Sequence, residues 1–171
     1  MTDLERRLIH YSSKPLGKVH SVRTQQDEHF KPRGLWFSLE GDDDWPSWCE
    51  AEGFHLHRLA CASEVVLSKE ANLLWLSSAA DIDSFTAEYG WAPEYINVSR
   101  IFVRWSRVAA AYQGMVIAPY IWERRLDHGA SWYYAWDCAS GCIWDARAIA
   151  HIVPMLAAPS QEKPEEQSAD L

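Results

Sequence analysis

The chain has 171 residues, enough for one domain with a substantial core and too few for two comfortable ones, and its 48 % hydrophobic content places it among globular proteins. Sixteen basic against twenty-four acidic side chains give a formal net charge of -8, which argues against tight non-specific binding to nucleic acid. No apolar run approaches a membrane span, no secretory leader opens the sequence and the four cysteines lack any Cys-x-x-Cys spacing, so a cytoplasmic protein with reduced thiols is expected.

Residues 1–7 are charged and lead into Leu8-Ile9-His10-Tyr11-Ser12-Ser13, a short strand whose alternation puts His10 and Ser12 on one face. From Lys14 to Arg33 the sequence is polar and aperiodic, with Pro15, Gly17, Pro32 and the basic Lys18, Arg23 and Lys31. This predicts a long surface loop, and loops of such length in compact domains are usually functional, so it is a candidate flap over a ligand.

The stretch from Gly34 to Cys49 carries the strongest local signal. Leu35, Trp36 and Phe37 favour a strand, Gly41 with Asp42, Asp43 and Asp44 marks a turn, and Pro46 suits the first turn of a helix. Trp36, Trp45 and Trp48 then offer either core packing or flat walls for a flat ligand.

Further along, His55 to Ala62, Val65 to Leu67 and Leu73 to Leu76 read as strands. Asp81 is placed as the cap of a helix with Ile82, Phe85 and Tyr89 on its buried face and Gly90 as its end. A second helix is expected over Ser106 to Tyr112, with Gly114 as its stop. Met115 to Ala118, Ser131 to Asp137 and Cys142 to Asp145 follow as apolar segments, the last two joined by Cys138 to Gly141 as a hairpin connection. The alternation predicts an α+β fold: one domain over residues 1–158 with a split, mostly antiparallel sheet and a few short helices. From Pro159 the composition turns to Pro, Glu, Gln, Ser and Asp, which reads as a disordered acidic tail over residues 159–171.

The familiar chemical signatures are missing. His55-x-His57 with Cys138 and Cys142 is a conceivable zinc set, but nothing brings the two pairs together, and no metal site is assigned. Neither Cys49 nor Cys142 has an evident His partner, and there is no nucleophile elbow, phosphate loop or dinucleotide fingerprint.

An order of segments does stand out: a strand with His10-x-Ser12; then Gly34-x-Trp36-Phe37-Ser38; then, past an acidic turn, Ser47-Trp48-Cys49; and a last strand at Gly141-Cys142-Ile143-Trp144-Asp145. This order resembles the ADP-ribosyltransferase fold, in its histidine-first branch that includes diphtheria-toxin-like and poly(ADP-ribose)-polymerase-like enzymes. There a His-Gly-Thr/Ser strand, a Gly-x-Tyr-Phe-Ala/Ser strand with a following helix, and a final strand opening with Glu build a site for NAD.

The resemblance implies that His10 donates a hydrogen bond to the adenosine ribose of NAD and that Ser12 helps near the nicotinamide. Trp36 stands at the motif tyrosine and Trp48 at the ring that stacks on nicotinamide, while Ser38 and Ser47 hold the carboxamide. Two departures accompany it. Tyr11 replaces the glycine after the histidine, and Ser140 occupies the slot of the catalytic glutamate, leaving Asp137 as the nearest carboxylate. The implied activity consumes NAD and passes ADP-ribose to a macromolecular acceptor, with the acidic balance leaning to protein over nucleic acid. The alternatives are a non-catalytic nucleotide-binding or protein-interaction module and a structural protein whose tryptophans are all core.

Overall fold

The computed structural model describes residues 6–93 and 100–155. The tail at residues 159–171 and the extreme amino terminus lie outside the described residues. Twelve elements follow in order: β1 (Leu8–Ser12), β2 (Leu35–Leu39), α1 (Trp45–Glu52), β3 (Cys61–Leu67), β4 (Leu73–Leu76), α2 (Ala79–Tyr89), β5 (Gly90–Trp91), β6 (Phe102–Val103), α3 (Trp105–Ala111), β7 (Gly114–Ile117), β8 (Ser140–Ile143) and β9 (Ile149–Met155), with short 3-10 turns between them.

Seven strands make one sheet in the order β4-β7-β8-β2-β1-β3-β9, and β5 pairs with β6 apart from it. All neighbours in the large sheet are antiparallel except β4 and β7. Mixed helices and a mostly antiparallel sheet agree with the expected α+β class. Side chains alternate between two cores as the pleat requires. Met115, Ile117 and Cys142 face a core with α2 and α3 that holds Trp105, Trp132 and Trp136, whereas Val116, Ile143, Leu35 and Phe37 face a second core on the opposite side.

The helices start and stop for local reasons. Asp44 caps α1 by accepting from the Ser47 amide, Pro46 occupies its first turn, and Gly53 at φ 61° ends it in the left-handed region, where a side chain is strained. Helix α2 buries Ile82, Phe85 and Tyr89 as predicted, but Ser78 is its cap; Asp81 lies in the first turn, where its carboxylate accepts from Ser77. Helix α3 begins at Trp105 and ends at Ala111, with Tyr112 as its extended cap, so Gly114 opens β7 instead of stopping a helix.

Three sequence expectations are corrected. His55 to Ala62 is not a strand: His55 takes φ 53°, a 3-10 turn runs Leu56–Leu59, and β3 begins at Cys61, opposite Ser12 of β1. Ser131 to Asp137 is not a strand either. His128–Ala135 is 3-10, and Trp132, Tyr133 and Trp136 are buried at helical spacing while Tyr134 points out. Cys138 to Gly141 is therefore no hairpin connection, because Ser140 and Gly141 already lie in β8 between β2 and β7. At Gly141 the three strands come so close that an added Cβ would lie 2.4 Å from the Phe37 ring and 2.7 Å from the Met115 carbonyl oxygen. Strand β9, unpredicted, covers the free edge of β3 and carries Pro154, which an edge strand tolerates.

The expected split into two sheets is not seen: the seven strands form one sheet, and β1 and β2 diverge within it. Strands β1 and β2 pair only at Leu8 with Leu39 and at Ile9 with Ser38, and the ladder stops before His10.

Candidate functional site

Where β1 and β2 part, a cavity of about 410 Å³ opens, lined by His10 and Tyr11 of β1, by Trp36 and Ser38 of β2, and by Asp137 and Ser140 at the entrance to β8. Six of the sequence candidates thus meet in one place. Trp45, Lys31 and Arg58 join them in the lining, whereas Ser12, Ser47 and Trp48 lie outside it.

His10 takes the position that a ladder hydrogen bond would have filled. Its Nδ1 lies 2.7 Å from the Trp36 carbonyl oxygen, which can only accept, so Nδ1 carries a proton and donates. In the neutral ring Nε2 is then an acceptor. A ribose hydroxyl would donate to His10, the reverse of the direction implied by the family resemblance. Beside it, burial and then the charges of Asp44 and Glu40 push the Tyr11 phenol up to about 12, so it stays protonated at neutral pH.

Ser38 is fully engaged. Its Oγ accepts from the Trp45 amide at 2.8 Å and donates to the Ala139 carbonyl at 3.3 Å, tying β2 to the start of α1 and to the approach to β8. That bond sets Trp45 against the cavity. Trp48, one turn along, stacks behind Trp45 with ring centroids 5.1 Å apart and planes 16° apart, and meets the edge of Phe54. Of the two α1 rings, Trp45 lines the cavity and Trp48 does not. Ser47 is exposed, with its amide held by Asp44, and Ser12 donates to the Lys14 carbonyl.

Across the cavity Trp36 is half-buried, packed 4.8 Å from Trp136, with the Lys31 ammonium 5.0 Å from its ring centre. Lys31 also lies 3.7 Å from Asp137. Arg125 approaches the other Asp137 oxygen at 3.3 Å, and its guanidinium is stacked near Tyr120, Trp122 and Tyr134 and bonded to the Tyr120 hydroxyl. One carboxylate is thereby held by two cations. Ser140 is buried and its Oγ donates to the Cys138 carbonyl at 2.9 Å. Burial pushes the Cys138 thiol to about 12, so no thiolate nucleophile forms there at neutral pH.

The long loop reaches the cavity only at its end. Val22 donates to the Trp144 carbonyl, the buried Gln25 amide bonds Arg33 in both directions, Asp27 accepts from Ser106, and Phe30 stacks on Phe102. It is a pinned connection that delivers Lys31, not a free flap. Among the described residues no group of three or more His, Cys, Asp or Glu side chains could hold a metal ion, and no helix is long and apolar enough to cross a membrane.

Arg58 and Arg125 are the residues sequence reasoning missed, while Trp45 and Lys31, both named in it, received no specific role. The α1 start signal at Asp44 and Pro46 was a clue to Trp45, since a first-turn residue lies nearest the strand end. Arg58 was hidden by reading its segment as a strand.

Set against known protein families, curated proteins and solved structures, the chain matches none of them significantly.

Proposed function

We propose that the cavity binds NAD and that the protein is an NAD-consuming ADP-ribosyltransferase acting on a macromolecular acceptor. The observation that carries this reading is the parting of β1 from β2, which turns His10, Trp36 and Asp137 toward one opening. That arrangement is what the resemblance implies for a histidine strand, an aromatic strand and a last strand around a dinucleotide.

In this reading His10 accepts from a ribose hydroxyl, and Trp36 and Trp45 enclose a flat ring. The bond from the nicotinamide nitrogen to the ribose carbon breaks, its electron pair leaves with nicotinamide, and positive charge grows on the ribose. Asp137 stabilises that charge; the acceptor's nucleophile then forms the new bond to the carbon and loses its proton. Incubating the protein with NAD and cell lysate tests the reading: free nicotinamide and labelled macromolecule are expected, and protease against nuclease treatment sorts the acceptor, with protein favoured by the net charge.

A second reading, a non-catalytic nucleotide-binding module, is favoured by one specific observation. Arg125 and Lys31 both neutralise Asp137, and Ser140 supplies a hydroxyl already bonded within the chain. NAD binding without any nicotinamide release would establish it.

A further inference from the structure

Arg58 has no assigned role, yet it lines the cavity and is exposed. Five other arginines are tied to carboxylates, namely Arg6 to Asp43, Arg7 to Glu40, Arg124 to Asp83, Arg125 to Asp137 and Arg147 to Asp145. Among the described residues Arg58 pairs with no carboxylate. The turn that carries it, Leu56–Leu59, packs against β1 and α1 and starts from His55, the one non-glycine residue with positive φ among those described. A left-handed histidine is unfavourable on its own, and such backbone is retained where it aims a functional group. Here it starts the turn, and the Arg58 amide closes it on the His55 carbonyl at 2.8 Å.

Charge in the cavity runs against the rest of the molecule. Lys31 and Arg58 line it with Asp137 as the one carboxylate, and that carboxylate also meets Arg125. The net charge of the chain is nevertheless -8. Cations gathered at the mouth of an aromatic cavity in an acidic protein fit a ligand that joins a flat ring to an anionic group, and a guanidinium fork suits two phosphate oxygens at once.

We propose that Arg58, assisted by Lys31, binds the diphosphate of the ligand and makes the cavity select nucleoside diphosphate compounds over nucleosides. The proposal rests on reading the cavity as a nucleotide site, not on catalysis. The probes are ADP-ribose and adenosine, titrated by calorimetry against the full chain and against Arg58→Gln and Arg58→Lys, with thermal melts to show that each variant is folded. Wild-type protein should bind ADP-ribose at least about 10-fold tighter than adenosine, with the advantage shrinking as salt rises. Arg58→Gln should remove most of that advantage and leave adenosine binding unchanged, and Arg58→Lys should restore part of it. An unchanged preference in Arg58→Gln overturns the proposal, as does wild-type protein that binds no ADP-ribose. Nicotinamide release separates the two layers. Arg58-dependent ADP-ribose binding without release upholds the diphosphate site and removes the transferase reading; release from NAD with the same KM in Arg58→Gln does the opposite.

Discussion

Strands β7 and β8 are each registered with both neighbours over four residue pairs, and they are buried along their whole length, while β1 meets β2 at only two. Tryptophan follows the same division. Trp105, Trp132 and Trp136 are sealed beneath the β7 and β8 half, whereas Trp36, Trp45 and Trp48 stay partly open around the β1 and β2 seam. The same residue type is therefore sealed packing in one half and partly open in the other, where Trp36 and Trp45 line the cavity at the parting of β1 and β2.

Mutation can break that division. Trp132 has no exposed surface, packs on Phe85, Trp105 and Trp136, and donates its indole N–H to the Thr86 hydroxyl. Trp132→Ala is expected to cost roughly 3–5 kcal/mol of stability in chemical denaturation. A loss under 1 kcal/mol would mean that the sealed half is not the stabilising half.

On the open side the largest effect should fall on turnover. Asp137→Asn keeps the shape and removes the charge, so nicotinamide release should fall by ~10²-fold with NAD affinity little changed. Normal turnover in that variant would take Asp137 out of the chemistry.

The two stacked rings of α1 sharpen the comparison further. Trp45→Ala should weaken NAD binding by on the order of 1–3 kcal/mol, read by calorimetry, because it removes a wall of the cavity. Trp48→Ala should weaken it less, acting only through the stacking that steadies Trp45. The reverse ranking would move the ligand to the outer face of α1.

The smallest effect belongs to the surface. Arg147 hydrogen bonds hold the Asp145 carboxyl down at about 2. A lowered folded pKa stabilises the protein fully above the ordinary value of about 3.9 and loses that contribution as pH falls through the folded one. Asp145→Asn should therefore melt slightly below wild type at neutral pH, with the gap closing as pH falls from about 4 to about 2; Arg147 is 83 % exposed, so the gap should be small. A gap that stays constant with pH would show that the ion pair does not contribute.

Strands β1, β2, β4 and β7 and helices α1, α2 and α3 were legible from apolar patterning and from turn or start signals, although Gly114 does not end α3. The segment His128–Ala135 was misread because a dense aromatic run has no period of its own, and burial on one face of a 3-10 turn looks in sequence like a buried strand. Strand β9 escaped because Pro154 and its exposed positions weaken the strand signal, and only the free edge of β3 supplies its reason to pair. At the site, His10, Trp36, Ser38 and Asp137 were individually legible, but their meeting depends on β1 pairing with β3 and β2 with β8, contacts set by distant parts of the chain. The choice of Trp45 over Trp48 rests on a single hydrogen bond from the Trp45 amide to Ser38, which composition cannot reveal.

Gly141 limits what the strand beside the cavity can carry. Position 140 borders the cavity and position 141 admits no side chain without displacing Phe37 or the Met115 backbone. Ser140 is buried and bonded to the Cys138 carbonyl, and its place at the cavity edge depends on the neighbouring glycine staying a glycine. Gly141 thereby lets β2 and β7 close on β8, and with them it fixes where Ser140 meets the cavity.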